Sequence, residues 1–256
     1  QQTNDDGYIL AGSRTPGGSD STDLWLIKTD ASGIEAWNRT FGGRSNDQGV
    51  AVLETEDGYI AGGSTMSQGY GSWDFWLIRT GPGGEKEWEK TYGGLGRDYL
   101  SFILKTEDGG YLLSGTTESY GNGSNNLWLV KVDSVGNELW NKTFDSSIGL
   151  GGSVTATDDG GFALAEDSVP GQGMSLEGAV RLIKLDAEGD EEWNRTFSKH
   201  ESSYFSSSIQ QTNDGGYVMA GTLTSYSGGP EKIGDATVWG ADGNDILVIR
   251  TDSRGN

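Results

Sequence analysis

The side chains best suited to binding a ligand are aromatic residues in the longer polar loops. They stand beside Asp, Asn and Arg, a combination that suits a sugar, because aromatic rings stack on its faces and carboxylates accept hydrogen bonds from its hydroxyl groups. The candidate ligand-binding residues are Tyr70, Trp73, Arg97, Tyr99, Tyr120, Tyr226 and Trp239. For any one of these aromatic residues, the simpler interpretation is that it covers the edge of a strand.

Oxygen ligands of the kind that Ca²⁺ prefers are concentrated late in the chain. The candidate metal ligands are Asp242, Asn244 and Asp245. Similar acidic runs recur at residues 4–7, 158–160 and 213–215, but none has the spacing of a twelve-residue calcium loop. Asn-Asp-Gly is also the usual composition of a hairpin turn, which is the favoured interpretation of the recurring runs. Calcium is the one cofactor that the sequence leaves open.

The residue types that most catalytic sites require are scarce. His200 is the only histidine and there is no cysteine, which excludes a three-histidine zinc site and a cysteine nucleophile. A serine triad would have to combine His200 with Ser202 or Ser203, and residues so close in sequence rarely reach that geometry. A carboxylate pair for glycoside hydrolysis stays open, although the pattern singles out no pair. We therefore expect a protein without enzymatic activity.

The sequence also contains four sites that fit the acceptor pattern for N-glycosylation. The asparagines are Asn38, Asn122, Asn141 and Asn194. Three of the sites belong to a recurring Trp-Asn-x-Thr run, whose threonine equally suits a β-strand. If the protein is exported, we expect sugars on these asparagines, where they would also block edge-to-edge aggregation of sheets.

The balance of charge excludes several classes of partner. Eighteen Lys and Arg against 38 Asp and Glu give a net charge of −20, whereas nucleic acids and anionic membranes both require a basic face. No apolar run approaches the roughly 18–20 residues of a membrane span, so we expect no insertion into a membrane. The chain begins at Gln1 rather than at a methionine, which predicts a processed product or a segment of a longer chain with flanking domains.

All these candidates lie on a sequence that repeats about every 51 residues. Successive tryptophans in runs such as WNRTF and WEKTY are 51, 52 and 53 residues apart, and the aromatic residues of a recurring Asp-Gly-rich turn are 51, 52, 51 and 55 apart. The tryptophans are Trp37, Trp88, Trp140 and Trp193, and the turn aromatics are Tyr8, Tyr59, Tyr111, Phe162 and Tyr217. A period of this length predicts a solenoid or a propeller.

Each repeat contains four strand-like runs, which we term strands A to D. Apolar and β-branched residues dominate the runs, and Gly, Asn and Asp separate them. No segment has a sustained helical period, so almost no helix is expected. The predicted repeats span approximately residues 1–41, 47–92, 98–144, 152–197 and 205–256 of a single domain.

A four-stranded sheet of this size buries both faces only against neighbouring sheets, which predicts an all-β fold, a β-propeller of five blades. An open β-solenoid is the alternative, although its repeats are usually shorter. The first repeat lacks most of strand A and the last lacks strand D, so both blades are expected to be incomplete, with no segment to fill either gap. The D–A and B–C loops are the long ones and share one face of a propeller, where we predict binding.

The repeats resemble those of secreted proteins on archaeal and bacterial cell surfaces. Runs such as TNDGGYVMAG and LWLVKVDSVGNELWNKTF are similar to the family pattern SIQQTxDGGYIxAG followed by WLIKTDxxGxxxWNKTFGG, and the resemblance covers essentially the whole chain. It implies a β-propeller module of a larger surface protein, in a family mostly without known activity.

A weaker resemblance is to the Trp-docking motif of quinoprotein propellers, an Asp followed by a Gly and then a Trp. It is matched by Asp30-Gly33-Trp37, Asp133-Gly136-Trp140 and Asp186-Gly189-Trp193, whereas the second repeat has Gly81 in place of the Asp. In the quinoproteins the motif ties neighbouring blades together, so the resemblance implies a structural contact and no quinone cofactor.

These features predict a non-enzymatic extracellular module that serves cell-surface structure, adhesion or the binding of a surface protein or glycan through the long D–A and B–C loops. The first alternative is a calcium-assisted carbohydrate-binding lectin. The second is a glycoside hydrolase-like enzyme that uses acidic residues near the central tunnel, and the scarcity of acids in strand A argues against it.

Overall fold

The computed structural model describes residues 1–18, 20–121, 125–144, 152–168, 179–198, 202–225, 231–233, 236–239 and 243–256. Every regular element in these ranges is a β-strand, so the prediction of an all-β fold is confirmed. Within the same ranges, no helix has the length and apolar character needed to cross a membrane.

The described strands form five antiparallel sheets. Sheet one contains β1 (Tyr8–Arg14), β2 (Asp23–Thr29) and β3 (Glu35–Phe41). Sheet two contains β4 (Asp47–Thr55), β5 (Gly58–Thr65), β6 (Asp74–Thr80) and β7 (Lys86–Tyr92). Sheet three contains β8 (Asp98–Lys105), β9 (Tyr111–Thr117), β10 (Asn126–Val132) and β11 (Glu138–Phe144).

Sheet four contains β12 (Gly152–Ala156), β13 (Phe162–Ser168), β14 (Ala179–Leu185) and β15 (Glu191–Ser198). Sheet five contains β16 (Ser202–Gln211), β17 (Tyr217–Ser225), β18 (Glu231–Ile233), β19 (Ala236–Trp239) and β20 (Gly243–Thr251). Strands that follow one another in sequence are neighbours in sheets one to four. Short Gly- and Asp-rich turns favour hairpin connections between strands A and B and between strands C and D, and longer loops join strands B and C.

The start of the chain lies beside β1, where the end of a strand A is expected. Gln2 forms an antiparallel bridge with Tyr8, and the backbone N–H of Ile9 donates a hydrogen bond to the carbonyl oxygen of Gln1 at 2.9 Å. Sheet one therefore has three strands and a short stretch of a fourth at its β1 edge.

The prediction that no segment fills the gap in the last repeat is wrong. The strand order of sheet five is β16-β17-β20-β19-β18, so β19, which belongs to the long insertion between β17 and β20, lies on the edge of β20. Val238 pairs with Leu247 and Trp239 with Ile246. This pairing supplies partners for backbone groups that an open strand edge would leave exposed.

The chain forms two compact units, one of Gln1–Gly123 and Trp128–Leu139, the other of Ser124–Leu127 and Trp140–Asn256. Each unit has a core in which apolar side chains of consecutive sheets pack together. In the first unit Phe75 of sheet two lies against Trp128, and their ring centroids are 4.7 Å apart. Adjacent sheets therefore shield each other's apolar faces, as the repeat pattern indicates.

The second unit is built in the same way from sheets four and five. Val180 and Leu182 of β14 pack in one cluster with Tyr217, Met219 and Leu247 of sheet five. Each such side chain contributes roughly 1.5–3 kcal/mol when it is fully buried.

The recurring tryptophans make the same contact in both units. Each indole ring lies against a glycine in the C–D turn of the next sheet, and that glycine has a φ of +78°. A Cβ built on Gly136 would lie 2.9 Å from a ring carbon of Trp88. The full set of contacts is Trp37 with Gly84, Trp88 with Gly136, Trp140 with Gly189, and Trp193 with Gly255.

The acidic residue of the Asp-Gly-Trp pattern shapes the turn rather than the tryptophan contact. Asp133 Oδ1 accepts hydrogen bonds from the backbone N–H groups of Val135 and Asn137 at 3.0 and 2.8 Å. Repeat two, where Gly81 replaces the acid, keeps the turn through a bond from Gly84 N–H to the carbonyl oxygen of Gly81 at 3.0 Å. The departure in repeat two therefore leaves the contact intact.

Candidate functional site

Three loops meet at one end of sheets two and three in the first unit. They are residues 66–73 between β5 and β6, residues 93–97 between β7 and β8, and residues 118–121 after β9. The backbone N–H of Glu118 donates a hydrogen bond to the carbonyl oxygen of Arg97 at 2.8 Å, which joins two of the loops directly. We call this surface the long-loop face.

Three of the aromatic residues predicted to bind a ligand are part of the packing below this face. Trp73 is 9% exposed, and the centroid of its ring lies 5.4 Å from that of Tyr99. The Tyr120 ring lies 5.1 Å from that of Trp128, and its hydroxyl donates a hydrogen bond to the carbonyl oxygen of Gly93 at 3.0 Å. These contacts give the rings a structural role and leave Tyr120 only partly available to a ligand.

The most exposed large apolar side chains of the face are Tyr70, which is 78% exposed, and Leu95, which is 87% exposed. Their loops touch, since a Cβ built on Gly71 would lie 2.5 Å from the carbonyl oxygens of Gly94 and Leu95. Arg97 is also exposed. Sequence reasoning did not select Leu95, although a leucine between two glycines in a polar loop is a signal that could have identified it.

Buried carboxylates hold these loops in place. Asp98 is fully buried at the start of β8, and its Oδ2 accepts hydrogen bonds from the backbone N–H of Gly94 at 3.0 Å and the hydroxyl of Ser119 at 2.6 Å. Its Oδ1 accepts a bond from the hydroxyl of Thr117. Asp98 is therefore surrounded by donors, as an ionised carboxylate requires.

Repeat two uses the same arrangement one sheet earlier. Asp47, fully buried at the start of β4, accepts hydrogen bonds through Oδ2 from Gly43 N–H at 2.9 Å and from the Ser67 hydroxyl at 2.7 Å. The hydroxyl of Thr65 donates to its Oδ1. The repetition shows that this anchor is part of the scaffold.

A second carboxyl group lies beside each anchor. Asp74 is 1% exposed, and its Oδ2 accepts a hydrogen bond from the backbone N–H of Tyr70 at 2.8 Å. Its Oδ1 is buried and accepts no hydrogen bond from any residue that the structure describes. Burial, together with the charge of Asp98, raises the pKa of Asp74 to about 6. Burial and the charge of Asp47 likewise raise the pKa of Asp23.

At the opposite, tight-turn end, the acidic turn residues pair with the basic residue of strand C. Lys131 Nζ lies 2.7 Å from Asp108 Oδ2 and is almost fully buried. The corresponding pairs are Lys28 with Asp5, Arg79 with Asp57, Lys184 with Asp159, and Arg250 with Asp214. Burial by itself would raise the pKa of Asp108, but hydrogen bonds from Lys131 and Thr106 outweigh it and lower this pKa to about 2. Ion pairing explains the recurring turn acids without a metal.

None of the described residues forms a group of three or more His, Cys, Asp or Glu side chains that could hold a metal ion. Of the predicted calcium ligands, Asp242 lies outside the described residues, and only the backbones of Asn244 and Asp245 are described, in β20. Asp245 pairs with Leu223, the register that Asp74 has opposite Thr65. Its place in the repeat is therefore that of the buried carboxyl groups described above.

A groove of about 420 Å³ opens at the tight-turn end of the first unit, between sheets two and three. Trp88, Tyr111 and Arg79 line it, and Glu56 and Lys105 stand beside it as exposed charged groups. The indole ring of Trp88 could stack on a polar ring-shaped ligand, and the charged groups around it could bind the ligand's polar groups.

The groove coincides with a local departure of repeat two from the other repeats. The turn between β4 and β5 has only Glu56 and Asp57 between the paired residues Thr55 and Gly58, one residue fewer than the Asp-Gly-Gly turns. Arg79 takes the place of lysine and pairs with Asp57 across this shorter turn. This part of the sequence thus differs from the repeat pattern where the groove forms.

The described glycosylation candidates differ in exposure. Asn141 and Asn194 are exposed on β11 and β15, whereas Asn38 is half-buried on β3. The amide of Asn38 donates a hydrogen bond to Glu35 Oε1 at 2.6 Å and accepts one from the Trp25 indole at 3.4 Å. Its amide is therefore already engaged in contacts within the sheet.

The remaining candidates lie outside the described residues or have only their backbone described. Tyr226 and Asn122 lie outside the described residues, as does His200, and Trp239 lies on β19, of which only the backbone is described. The sequence matches no family model and no curated protein.

Proposed function

We propose that this chain is a non-enzymatic β-propeller module of an extracellular or cell-surface protein. The five sheets would surround a common axis, with the long-loop face available for adhesion or for binding a protein or glycan. The support for the scaffold is the tryptophan–glycine contact between consecutive sheets in each unit. A net charge of −20 and exposed sequon asparagines suit an extracellular setting.

The observation that carries the binding function is the exposure of Tyr70 and Leu95 on touching loops. Large apolar side chains exposed together on a rigid surface mark interaction sites more often than chance, and aromatic residues dominate binding energy at interfaces. Asp74 and Asp98 hold the backbones of these loops, so the tips are presented with little loss of conformational entropy. The Asp74 and Asp98 carboxyl groups themselves are buried, which leaves no access for a polysaccharide substrate.

A direct test is retention of protein-coated beads on a glycan array and on a surface coated with the same chain, with and without millimolar Ca²⁺. We expect retention by the wild type and its loss in Tyr70→Ser/Leu95→Ser. Ile34→Ser removes an exposed apolar side chain of the β2–β3 turn, which does not line the groove beside Trp88, and should leave retention unchanged. Equal retention by all three proteins would contradict a role for the long-loop face.

A second candidate function is the binding of a neutral sugar ring in the groove beside Trp88. The indole ring would stack on the sugar, and Glu56 and Lys105 would bind its hydroxyl groups. Titration of an isotopically labelled protein with neutral monosaccharides should shift the backbone signals of residues 55–57 and 134–135. The absence of shifts there, or their persistence in Trp88→Ala, would contradict this assignment.

A further inference from the structure

The carboxyl groups of Asp74 and Asp98 converge on a single point in the first unit. A Cβ built on Gly93 would lie 2.8 Å from the carboxyl carbon of Asp74 and 2.7 Å from Asp98 Oδ2. Glycine at this position is what allows the two groups to approach each other. Both residues are buried, so water cannot screen the repulsion between two negative charges as it does at a surface.

The two carboxyl groups have unequal surroundings. Asp98 accepts hydrogen bonds from Gly94, Ser119 and Thr117, which stabilises its ionised form. Asp74 has one oxygen bound to Tyr70 N–H, while Oδ1 is buried without a donor among the described residues. A buried carboxylate oxygen without a hydrogen-bond donor destabilises the folded protein. If Oδ1 of Asp74 carried a proton, it could instead donate a hydrogen bond to Asp98.

We propose that Asp74 and Asp98 bind one proton between them, carried on Asp74 Oδ1 and donated in a hydrogen bond to Asp98 Oδ2. The proton would tie the loop of residues 66–73 to the loop of residues 93–97. No bond other than O–H is made or broken, and solvent supplies the proton.

The repeats themselves support a neutral group at this position. Asn126, an uncharged residue of nearly the same shape, occupies the place of Asp74 at the start of strand C in sheet three. In sheet one, Asp23 has a buried Oδ1 without a described donor. A Cβ built on Gly42 would lie 2.6 Å from its carboxyl carbon and 2.9 Å from Asp47 Oδ2, so the pair recurs.

The charges that face Asp74 give the site its pH dependence. Asp98, from β8, is the charged group that acts on Asp74. Burial raises the pKa of the Tyr120 phenol, in the loop after β9, and the charges of Asp98, Glu138 and Asp74 raise it further. The exposed guanidinium of Arg97 is the neighbouring cation in sequence. Burial and the charge of Asp98 raise the pKa of Asp74 to about 6, which agrees with the geometry.

The sign of the effect on stability follows from this shift. A carboxyl group whose pKa is raised in the folded protein contributes stability below its ordinary pKa of about 4, and that contribution is lost as pH rises through 6. Asp5, Asp108 and Asp159 have lowered pKa values. They therefore make stability depend on pH only below about pH 4. The interval from pH 5 to pH 7 therefore reports on Asp74 and Asp23, whose pKa values are raised, and not on the three groups with lowered values.

The test compares the unfolding equilibrium constants of the wild type and Asp74→Asn, measured with denaturant from pH 5 to pH 7. Between pH 5 and pH 7, the unfolding equilibrium constant of the wild type should rise about tenfold relative to that of Asp74→Asn. The variant lacks this pH dependence because its amide can donate to Asp98 at every pH. Asp23 and His200 are common to both proteins and cancel in the comparison. Asp98→Asn removes a carboxylate that accepts three hydrogen bonds. This variant should therefore be less stable than the wild type at every pH from 5 to 7.

Parallel pH profiles for the wild type and Asp74→Asn would overturn the proposal. If the variant does not fold, the carboxyl carbon of Asp74 in the wild type can be titrated by NMR, with a pKa near 6 expected and one below 4 contradicting it. Stabilisation of the wild type but not of Asp74→Asn by millimolar Ca²⁺ at pH 7 would show that the site holds a metal ion instead. These measurements need no ligand of the long-loop face. Their outcome therefore tests the shared proton independently of the proposed binding function.

Discussion

The ring of Trp88 lies directly against the α-carbon of Gly136, in the turn between β10 and β11. The glycine has a φ of +78° and no side chain, and both features are needed for the indole to reach the turn backbone. The Tyr92 hydroxyl donates a hydrogen bond to the carbonyl oxygen of the same glycine at 2.7 Å. Sheets two and three are therefore joined at β7 as well as through their core.

A methyl group at Gly136 should be more destabilising than one at a comparable glycine in open space. Gly109 has a φ of +79° but nothing within 4 Å of a Cβ built on it, so Gly109→Ala should cost only backbone strain, about 1 kcal/mol. Gly136→Ala adds the collision with Trp88 and should cost about 2–4 kcal/mol. Denaturant unfolding measures both, and equal losses would contradict the importance of the tryptophan contact.

The aromatic residues of the long-loop face should separate into structural and exposed groups. Trp73→Ala removes a buried ring that packs against Tyr99 and should lower the free energy of unfolding by about 3–5 kcal/mol. Tyr70→Ala removes an exposed ring and should change it by less than about 0.5 kcal/mol. If Tyr70→Ala lowered the free energy of unfolding as much as Trp73→Ala, the Tyr70 ring would be part of the packing and would not be available to a partner.

The ion pair of Lys131 and Asp108 should make the protein sensitive to acid. Because the pKa of Asp108 is lowered to about 2, its contribution is present above pH 4 and is lost as pH falls toward 2. Asp108 is largely exposed, so solvent screening limits the contribution to about 1 kcal/mol. Asp108→Asn should flatten the stability profile between pH 4 and pH 2, whereas Glu107→Gln, an exposed neighbour, should follow the wild type.

The sequence predicts local elements well because their signals are local. Alternating apolar residues and Asp-Gly turns identify hairpins. The ion pair of Lys131 with the turn acid Asp108 was not predicted, because the turn composition alone accounts for these acids. The pairing of β19 with β20 was missed, because Val238 and Trp239 have no counterpart in the other repeats.

The long-loop face was harder to predict than the strands. Whether Trp73 is buried while Tyr70 is exposed depends on loop packing that the repeat pattern does not encode. The approach of Asp74 to Asp98 joins residues from two strands through the glycine between them. Nothing in the sequence links these two carboxylates to each other among its 38 acids.

The proposal that the five sheets surround one axis is tested most directly by a single distance. The chain has no cysteine, so Leu10→Cys on β1 and Val248→Cys on β20 can be spin-labelled without other changes, at positions that are partly exposed. A ring of five sheets brings the first and last together and predicts a label-to-label distance below about 25 Å, whereas sheets stacked in a line at roughly 10 Å spacing would separate them by about 40 Å. Pulsed electron paramagnetic resonance should give the shorter distance, and a distribution centred near 40 Å would contradict the propeller.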